Sequence, residues 1–405
     1  MFLKLTKHLF TIFLICLVLV ISLELGLRFI DPPSLSYYRN IKLLHRFHPD
    51  YYVTLGKNID INIKHYAGLW EGRFTTNSLG FRGSREPDPN TRKIACLGDS
   101  LVMGFGVSDQ DTFCNLLDGV TIDGEIFQTQ NLAVDAYGSL GSAKRLEESL
   151  TKVKFDTVLF FVSPNDFTVP PGLVEQGVQA DDIVEKAREN DEGYRRKFQI
   201  QFELTRHSYL LQASKLALEQ LSIKRHLANK EAIQEWEEAK EPLQYISSSF
   251  YTFPEKNNCN VSSIDLKPIC PEAMPSHIQC EIATPKANDL EPLPEETIYA
   301  YNKMLKASKK YGFQLVIVYI PMQNEDIFCN QRNQHSSLYN YVIRSKEFFT
   351  KQGIPSIELL EDSRTICPLS DYFIPGDGHL TQKGNLWVKD SLVPKLQKLR
   401  GSRAF

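Results

Sequence analysis

The sequence has no surplus of basic charge. Its 46 Lys and Arg stand against 49 Asp and Glu, for a net charge of -3. A chain without a basic face has no electrostatic grip on a phosphate backbone, so nucleic acid is set aside as a partner. Phosphate-cradling glycines of the G-x-x-x-x-G-K-[ST] kind are absent, and Gly104-Phe105-Gly106 is too short a match for a dinucleotide site. No C-x-x-C pair or histidine ladder is present, which removes the usual donor spacing for zinc. No metal, nucleotide or redox cofactor is therefore implied. What is present is a foldable composition: 405 residues, 42% hydrophobic and 23% charged, enough to bury a full core as one large domain with additions.

The amino terminus holds the longest apolar run. Lys4, Lys7 and His8 precede fifteen uncharged residues, Leu9 to Leu23, followed by Glu24, Leu25 to Leu27, Arg28 and then Pro32-Pro33. A helix needs ~20 apolar residues to cross a bilayer, and Phe10 to Phe29 meets this with Glu24 and Arg28 near the interface. A secretory signal peptide would end in a small-x-small cleavage site, and Ser22 to Gly26 offers none. A buried amphipathic helix would need a polar face, which Leu9 to Leu23 lacks. Residues 1–31 are read as an uncleaved signal anchor, with Lys4 and Lys7 inside and the rest of the chain on the extracytoplasmic side.

Eight cysteines are distributed unevenly. Cys16 lies in the apolar segment, and Cys259, Cys270 and Cys280 cluster in a Pro-rich irregular stretch where cross-links would help, as in exported chains. Outside the anchor seven remain, so one is expected to be unpaired. Cys96, inside an apolar strand, is expected to be that free core thiol.

Residues 32–91 read as a linker and lead-in, including FTTNSLGFRG from Phe74 to Gly83, where turn residues alternate with Leu79 and Phe81. From Lys93 a rhythm starts. Short apolar runs at 93–97, 125–133, 157–163, 313–320 and 355–360 have the character of buried strands. Helical spacing appears over 139–153, 295–311 and 336–352, the last two closed by Gly312 and Gly353. Strand and helix in alternation predict an α/β fold: a three-layer α/β/α sandwich around a parallel sheet, over 92–400. The interval 168–294 breaks the rhythm with charged helical stretches, notably 202–227 and 230–241. It is read as an insertion, either a cap beside the sheet or a partner-binding module.

Chemistry collects at the ends of the predicted strands. Ser100 follows the first one, in Gly98-Asp99-Ser100, where open α/β sheets place their ligands. A serine hydroxyl needs a base, and that base needs an orienting carboxylate. Asp377 and His379 flank a single glycine after the last strand. Asn165, in VSPNDF, would present an amide at the same edge, and the turn of NLAVDAYGS, 131–139, a backbone N–H, both suited to a developing oxyanion. Each piece alone reads equally well as turn chemistry; four at strand ends make coincidence the weaker account.

These residues resemble the SGNH/GDSL-type hydrolases. GDSL at Gly98 to Leu101 matches the nucleophile block, NLAVDAYGS the glycine block, SPND at Ser163 to Asp166 the asparagine block, and DGH at Asp377 to His379 the acid and base block. FTTNSLGFRG is similar to a lead-in of membrane-anchored or secreted bacterial members. The resemblance covers about residues 74–167 and 296–395. It implies a flavodoxin-like fold, Ser100 as nucleophile, His379 as general base and Asp377 as its orienter. The implied oxyanion donors are the Ser100 N–H, the Ala136 N–H and the Asn165 amide. The chain departs from the pattern in having Ala136 for glycine, Ser163 for glycine, and Asp-x-His where Asp-x-x-His is commoner. The shorter spacing is similar to that of exported polysaccharide acetylation proteins.

The resulting expectation is a membrane-anchored serine esterase acting on O-acyl, especially O-acetyl, esters of envelope glycans or lipids. Two alternatives stay open: an O-acetyltransferase for extracytoplasmic polysaccharide, and a non-catalytic envelope assembly or binding protein that retains the fold. Oligomeric state is not legible.

Overall fold

The structure, a computed structural model, describes residues 2–49, 52–135, 137–162, 192–228, 292–320, 337–359, 369–374 and 377–401. Ala136, Asn165, the cysteines at 259, 270, 280, 329 and 367, and the expected helix at 230–241 lie outside the described residues.

The chain opens with α1 (Phe2–Ile30), whose apolar side chains stand exposed from Leu9 to Leu25. Among the described residues, His8–Ile30 is the one helix long and apolar enough to cross a membrane. Next come α2 (Pro33–Leu44), with Pro33 at its first position, and two antiparallel hairpins. One is β1 (His45–His48) with β2 (Tyr52–Leu55); the other is β3 (Asp60–Lys64) with β4 (Glu71–Thr75). The expected linker is thus folded structure. Leu44, Leu55, Ile63, Trp70 and Phe74 join the main core, an attachment that these short, polar-interrupted segments do not advertise.

The central sheet is built from β5 (Arg92–Leu97), β6 (Thr121–Ile122), β7 (Glu125–Asn131), β8 (Thr157–Phe161), β9 (Gln314–Tyr319) and β10 (Ser356–Glu358), in the order β10-β9-β8-β5-β7-β6. All neighbours are parallel except the β6–β7 edge pair. Period-two alternation splits each strand between two cores: Ile94 and Cys96 face one, Ala95 and Leu97 the other. On one face lies α11 (Gln382–Gly401), through Val388, Leu392 and Leu396, together with the folded lead-in. The opposite face is covered by α5 (Ser139–Leu150), α8 (Glu295–Tyr311) and α9 (Ser337–Lys351), through Leu146, Tyr301 and Phe349. The sheet is a covered, three-layer α/β sheet, and its strand order reverses at β5, with β7 on one side and β8 on the other. In open α/β sheets such a switch point is where ligands bind, here at the carboxyl end of β5.

Two short helices follow β5: α3 (Ser100–Met103) and α4 (Phe113–Leu116). Cys96, expected to be a free thiol, instead forms a disulfide with Cys114 of α4. Its strand is apolar, but its side chain faces the layer in which α4 packs. Pairings of that kind are set by tertiary placement, which strand composition does not reveal. Among the described residues the one free cysteine is Cys16.

The described part of the insertion forms two consecutive helices, α6 (Glu192–His207) and α7 (Tyr209–Ala228), interrupted at Ser208 where one continuous helix was expected. It packs on α1, α2, β1 and β2. The short helix α10 (Leu369–Tyr372) precedes the turn that holds Asp377 and His379.

The lead-in is fastened by a buried charge. The Arg82 guanidinium lies 3.6 Å from the centre of the Phe74 ring, 2.9 Å from Asp109 Oδ1, and donates to the Val107 carbonyl at 2.9 Å. Burial pushes the Arg82 pKa down to about 10 and raises that of Asp109, each against the pull of the other's charge. Asp109 is also held by the Thr75 N–H at 2.8 Å. Removing one partner strands the other, so Arg82→Ala is expected to cost about 3 kcal/mol. Urea unfolding of the detergent-solubilised chain reads this as a lowered midpoint, and an unchanged midpoint contradicts it.

Candidate active site

Ser100 is placed by local geometry on both sides. A Cβ at Gly98 would come within 2.6 Å of Val102 Cγ2 and 3.3 Å of the Phe161 carbonyl, so only glycine lets the chain turn out of β5 there. Asp99 is the N-cap of α3, its side chain accepting from the Leu101 N–H at 3.0 Å. The Ser100 N–H lies in the first turn, where helix N–H groups have no intrahelical acceptor. Gly104 and Gly106, both with positive φ, end α3 and turn Phe105 onto His379, ring centres 5.1 Å apart.

His379 Nε2 lies 2.8 Å from Ser100 Oγ. Its Nδ1 is hydrogen-bonded to Asp377 Oδ1. The single residue between them is Gly378, at φ +86, and the turn is tied by the Asp377 and Gly378 N–H groups donating to the Ile374 carbonyl at 3.1 and 3.0 Å. The left-handed glycine is what lets a carboxylate and an imidazole two residues apart face each other. Sequence reasoning brought Ser100, Asp377 and His379 to one edge, and the structure joins them in one hydrogen-bonded chain.

It missed the fourth member. Trp70 Nε1 donates to the other Asp377 oxygen at 3.0 Å, across 307 residues. Burial works to raise the Asp377 pKa, but the hydrogen bonds and charge of His379, with the Trp70 N–H, outweigh it and hold the carboxylate below its usual range. Trp70 stands edge-on to Phe105, and His65, 5.7 Å from Trp70, has its pKa lowered by burial against the opposing charge of Asp377. No motif surrounds Trp70 in the sequence; its role comes from the β3–β4 hairpin reaching the C-terminal turn.

The segment 131–135 runs beside the Ser100 turn. Leu132 N–H donates to the Cys96 carbonyl at 2.9 Å and Val134 N–H to Gly98 at 3.3 Å, while Asn131 Nδ2 donates to the Val102 carbonyl at 2.8 Å. Asp135, next to Ala136 in sequence, is hydrogen-bonded to Nε2 of His45, whose Nδ1 is 2.6 Å from the Ile41 carbonyl. This second His–Asp pair also escaped sequence reading, since its halves lie 90 residues apart. Among the described residues no cluster of His, Cys, Asp and Glu is suited to a metal.

Burial lowers the His45 pKa and raises that of Asp135, yet their mutual charge and hydrogen bond reverse both: His45 is raised, and Asp135 lowered with His379 contributing. The more distant Arg206 charge opposes the rise at His45. A raised folded pKa gives stability that is full below the unfolded value, ~6.5, and lost as pH rises through the folded one; a lowered carboxylate gives stability present above ~3.9 and lost on acidification. The melting temperature is therefore expected to fall as pH rises above neutrality, and His45→Gln to flatten that alkaline limb. An equal alkaline decline in both proteins contradicts the assignment.

No family model matches the chain, and no curated protein matches it in sequence. Solved structures similar to it include the psychrotrophic esterase EstA from Pseudoalteromonas sp., at 10% identity and a TM-score of 0.36, covering 76% of this chain and 99% of that one. A member of the lipolytic protein G-D-S-L family from Veillonella parvula DSM 2008 matches at 10% identity and 0.34, covering 75% and 97%. A carbohydrate acetylesterase family member from Sinorhizobium meliloti matches at 9% and 0.35, covering 77% and 100%. At such identities and scores the overlap carries no functional argument, which rests on the site's own geometry.

Proposed function

We propose that the protein is a serine ester hydrolase that works through an acyl-serine intermediate on O-acyl, chiefly O-acetyl, esters of envelope glycans or lipids. The observation that carries this reading is the chain Ser100 Oγ, His379 Nε2 at 2.8 Å, His379 Nδ1, Asp377. Ser100 Oγ attacks the ester carbonyl as His379 Nε2 takes its proton. Asp377 keeps the remaining imidazole proton on Nδ1 and balances the imidazolium charge, and Trp70 holds the carboxylate in line. The Ser100 N–H faces the developing oxyanion, with the Ala136 N–H and the Asn165 amide assigned beside it from the family resemblance. When the tetrahedral species collapses, the C–O bond to the alcohol breaks and His379 returns the proton to the leaving oxygen. Water then adds to acyl-Ser100 by the same proton path, releasing the acid and restoring the serine.

The envelope setting is supported by two observations. The exposed apolar stretch of α1 follows Lys4 and Lys7, the arrangement of an anchor with its amino terminus inside. The Cys96–Cys114 disulfide, at the foot of the nucleophile turn, belongs to an oxidising compartment. The short Asp377-x-His379 spacing, similar to that of exported polysaccharide acetylation proteins, favours carbohydrate esters.

The detergent-solubilised full chain is expected to hydrolyse p-nitrophenyl acetate and to release acetate from an acetylated oligosaccharide. Ser100→Ala should lower the rate by ~10³-fold or more; equal rates refute the catalytic assignment. Trp70→Phe should lower kcat about tenfold with KM unchanged, because it removes one charge-assisted hydrogen bond. Losing that donor also raises the Asp377 pKa, so the acid limb of the variant's rate profile should move to higher pH. An unmoved limb with unchanged kcat would leave Trp70 a packing residue only.

A further inference from the structure

The last turns of α1 carry Glu24 and Arg28, charges that an apolar span ordinarily avoids. Both are engaged by the α6–α7 pair. Glu24 caps the N-terminus of α7, accepting from the Ser208 hydroxyl at 2.8 Å and from the Tyr209 and Leu210 N–H groups at 3.1 and 2.8 Å. Arg28 donates to Glu24 at 2.7 Å and to the His207 carbonyl, at the end of α6, at 2.6 Å. A carboxylate on the open N–H groups of one helix and a guanidinium on the terminal carbonyl of the other satisfy both helix ends and both dipoles. The Tyr209 hydroxyl adds a bond to Asp31 Oδ1 at 2.7 Å. The junction between α6 and α7 is thereby fixed at the level where the apolar helix stops.

From that level the α6–α7 pair exposes aliphatic side chains. Phe202, Thr205, Tyr209 and Gln212 are buried, whereas Ile200 and Leu204 of α6 and Leu211, Leu218 and Leu221 of α7 are 41 to 66% exposed. The spacings i, i+4 on α6 and i, i+7, i+10 on α7 gather these residues into stripes. Charge complements them: residues 192–228 hold seven Lys and Arg against three Glu, in a chain whose net charge is -3. Aliphatic stripes on basic helices are the composition of an element that lies in the headgroup region of an anionic bilayer.

We propose that the α6–α7 pair is a second membrane contact, lying in the interface of an anionic bilayer with its aliphatic stripes toward the acyl chains. The proposal rests on the reading of α1 as an anchor. The contact also sets the height of the catalytic domain. Lys42 of α2 donates to Thr205 Oγ1 at 2.5 Å and is hydrogen-bonded to Gln212, and α2 ends at His45, the partner of Asp135. A rigid path thus runs from the lipid surface to the segment beside Ser100, and holds Ser100 at a fixed distance from substrates at that surface.

The test reconstitutes the full chain in phosphatidylglycerol-containing vesicles with acyl-brominated lipids, using tryptophan reporters read against the unsubstituted protein. Phe13→Trp reports the anchor; Leu211→Trp and Leu218→Trp report α7, at exposed positions where the larger side chain displaces nothing. All three reporters are expected to lose emission to bromine, Phe13→Trp most with deep bromines and the α7 reporters most with shallow ones. Quenching of Phe13→Trp alone would overturn the α6–α7 contact while sparing the anchor. Protection of the α7 reporters that disappears on diluting the protein in the bilayer would overturn it in favour of a second copy of the chain. An unquenched Phe13→Trp would remove the anchor reading and this inference with it. Ester hydrolysis measured on the same samples keeps a failure of the catalytic reading separate.

Discussion

The site depends on one carboxylate held from two sides. Asp377 is partly buried, bonded through one oxygen to His379 and through the other to the Trp70 indole. An isolated buried carboxylate would give up its charge. Here the imidazole and the indole supply what water would, so the charge survives where a transient imidazolium needs it. That arrangement draws three distant parts of the chain to one point: the β3–β4 hairpin with Trp70, the C-terminal turn with Asp377 and His379, and the end of β5 with Ser100. The folded lead-in is therefore part of the active-site wall, and the Arg82–Asp109 pair that fastens it lies behind the same aromatic cluster.

What was legible in the sequence is what local pattern encodes. The apolar runs became β5, β7, β8, β9 and β10 within a few residues, because parallel strands buried on both faces must be apolar throughout. Glycines at 98, 312 and 378 marked real turns, and Ser100 stood at the end of β5 as a site at the switch point requires, with Asp377 and His379 reaching it from the turn after α10. What was not legible rests on contacts remote in sequence. Trp70 and His45 carry no motif, and only tertiary placement gives them Asp377 and Asp135. Cys96 was read as a buried thiol from its apolar strand; its pairing with Cys114 depends on where α4 packs. The strands of 45–75 are too short and too polar to stand out from a linker, and the break at Ser208 follows from Glu24 capping a new helix, a partner 184 residues away.

The two His–Asp pairs divide their work by environment. His379 touches Ser100, as an acid–base group must. His45 is buried, spans α2 and the segment next to Ala136, and has no path to a reacting atom in the described structure. In the proposed reaction the first pair moves the proton, while the second joins α2 to Asp135. Because α2 also meets α6 and α7 through Lys42, the helix that carries His45 toward Asp135 is the one that holds these two helices.

The central claim is that Ser100 is a nucleophile activated by His379. Intact and peptide mass spectrometry after treating the full chain with an alkyl fluorophosphonate reads this directly, since the serine oxygen bonds to phosphorus as fluoride leaves. One adduct is expected, on the peptide containing Ser100, with its loss in His379→Ala. An adduct on another residue, or one formed equally in His379→Ala, would contradict it.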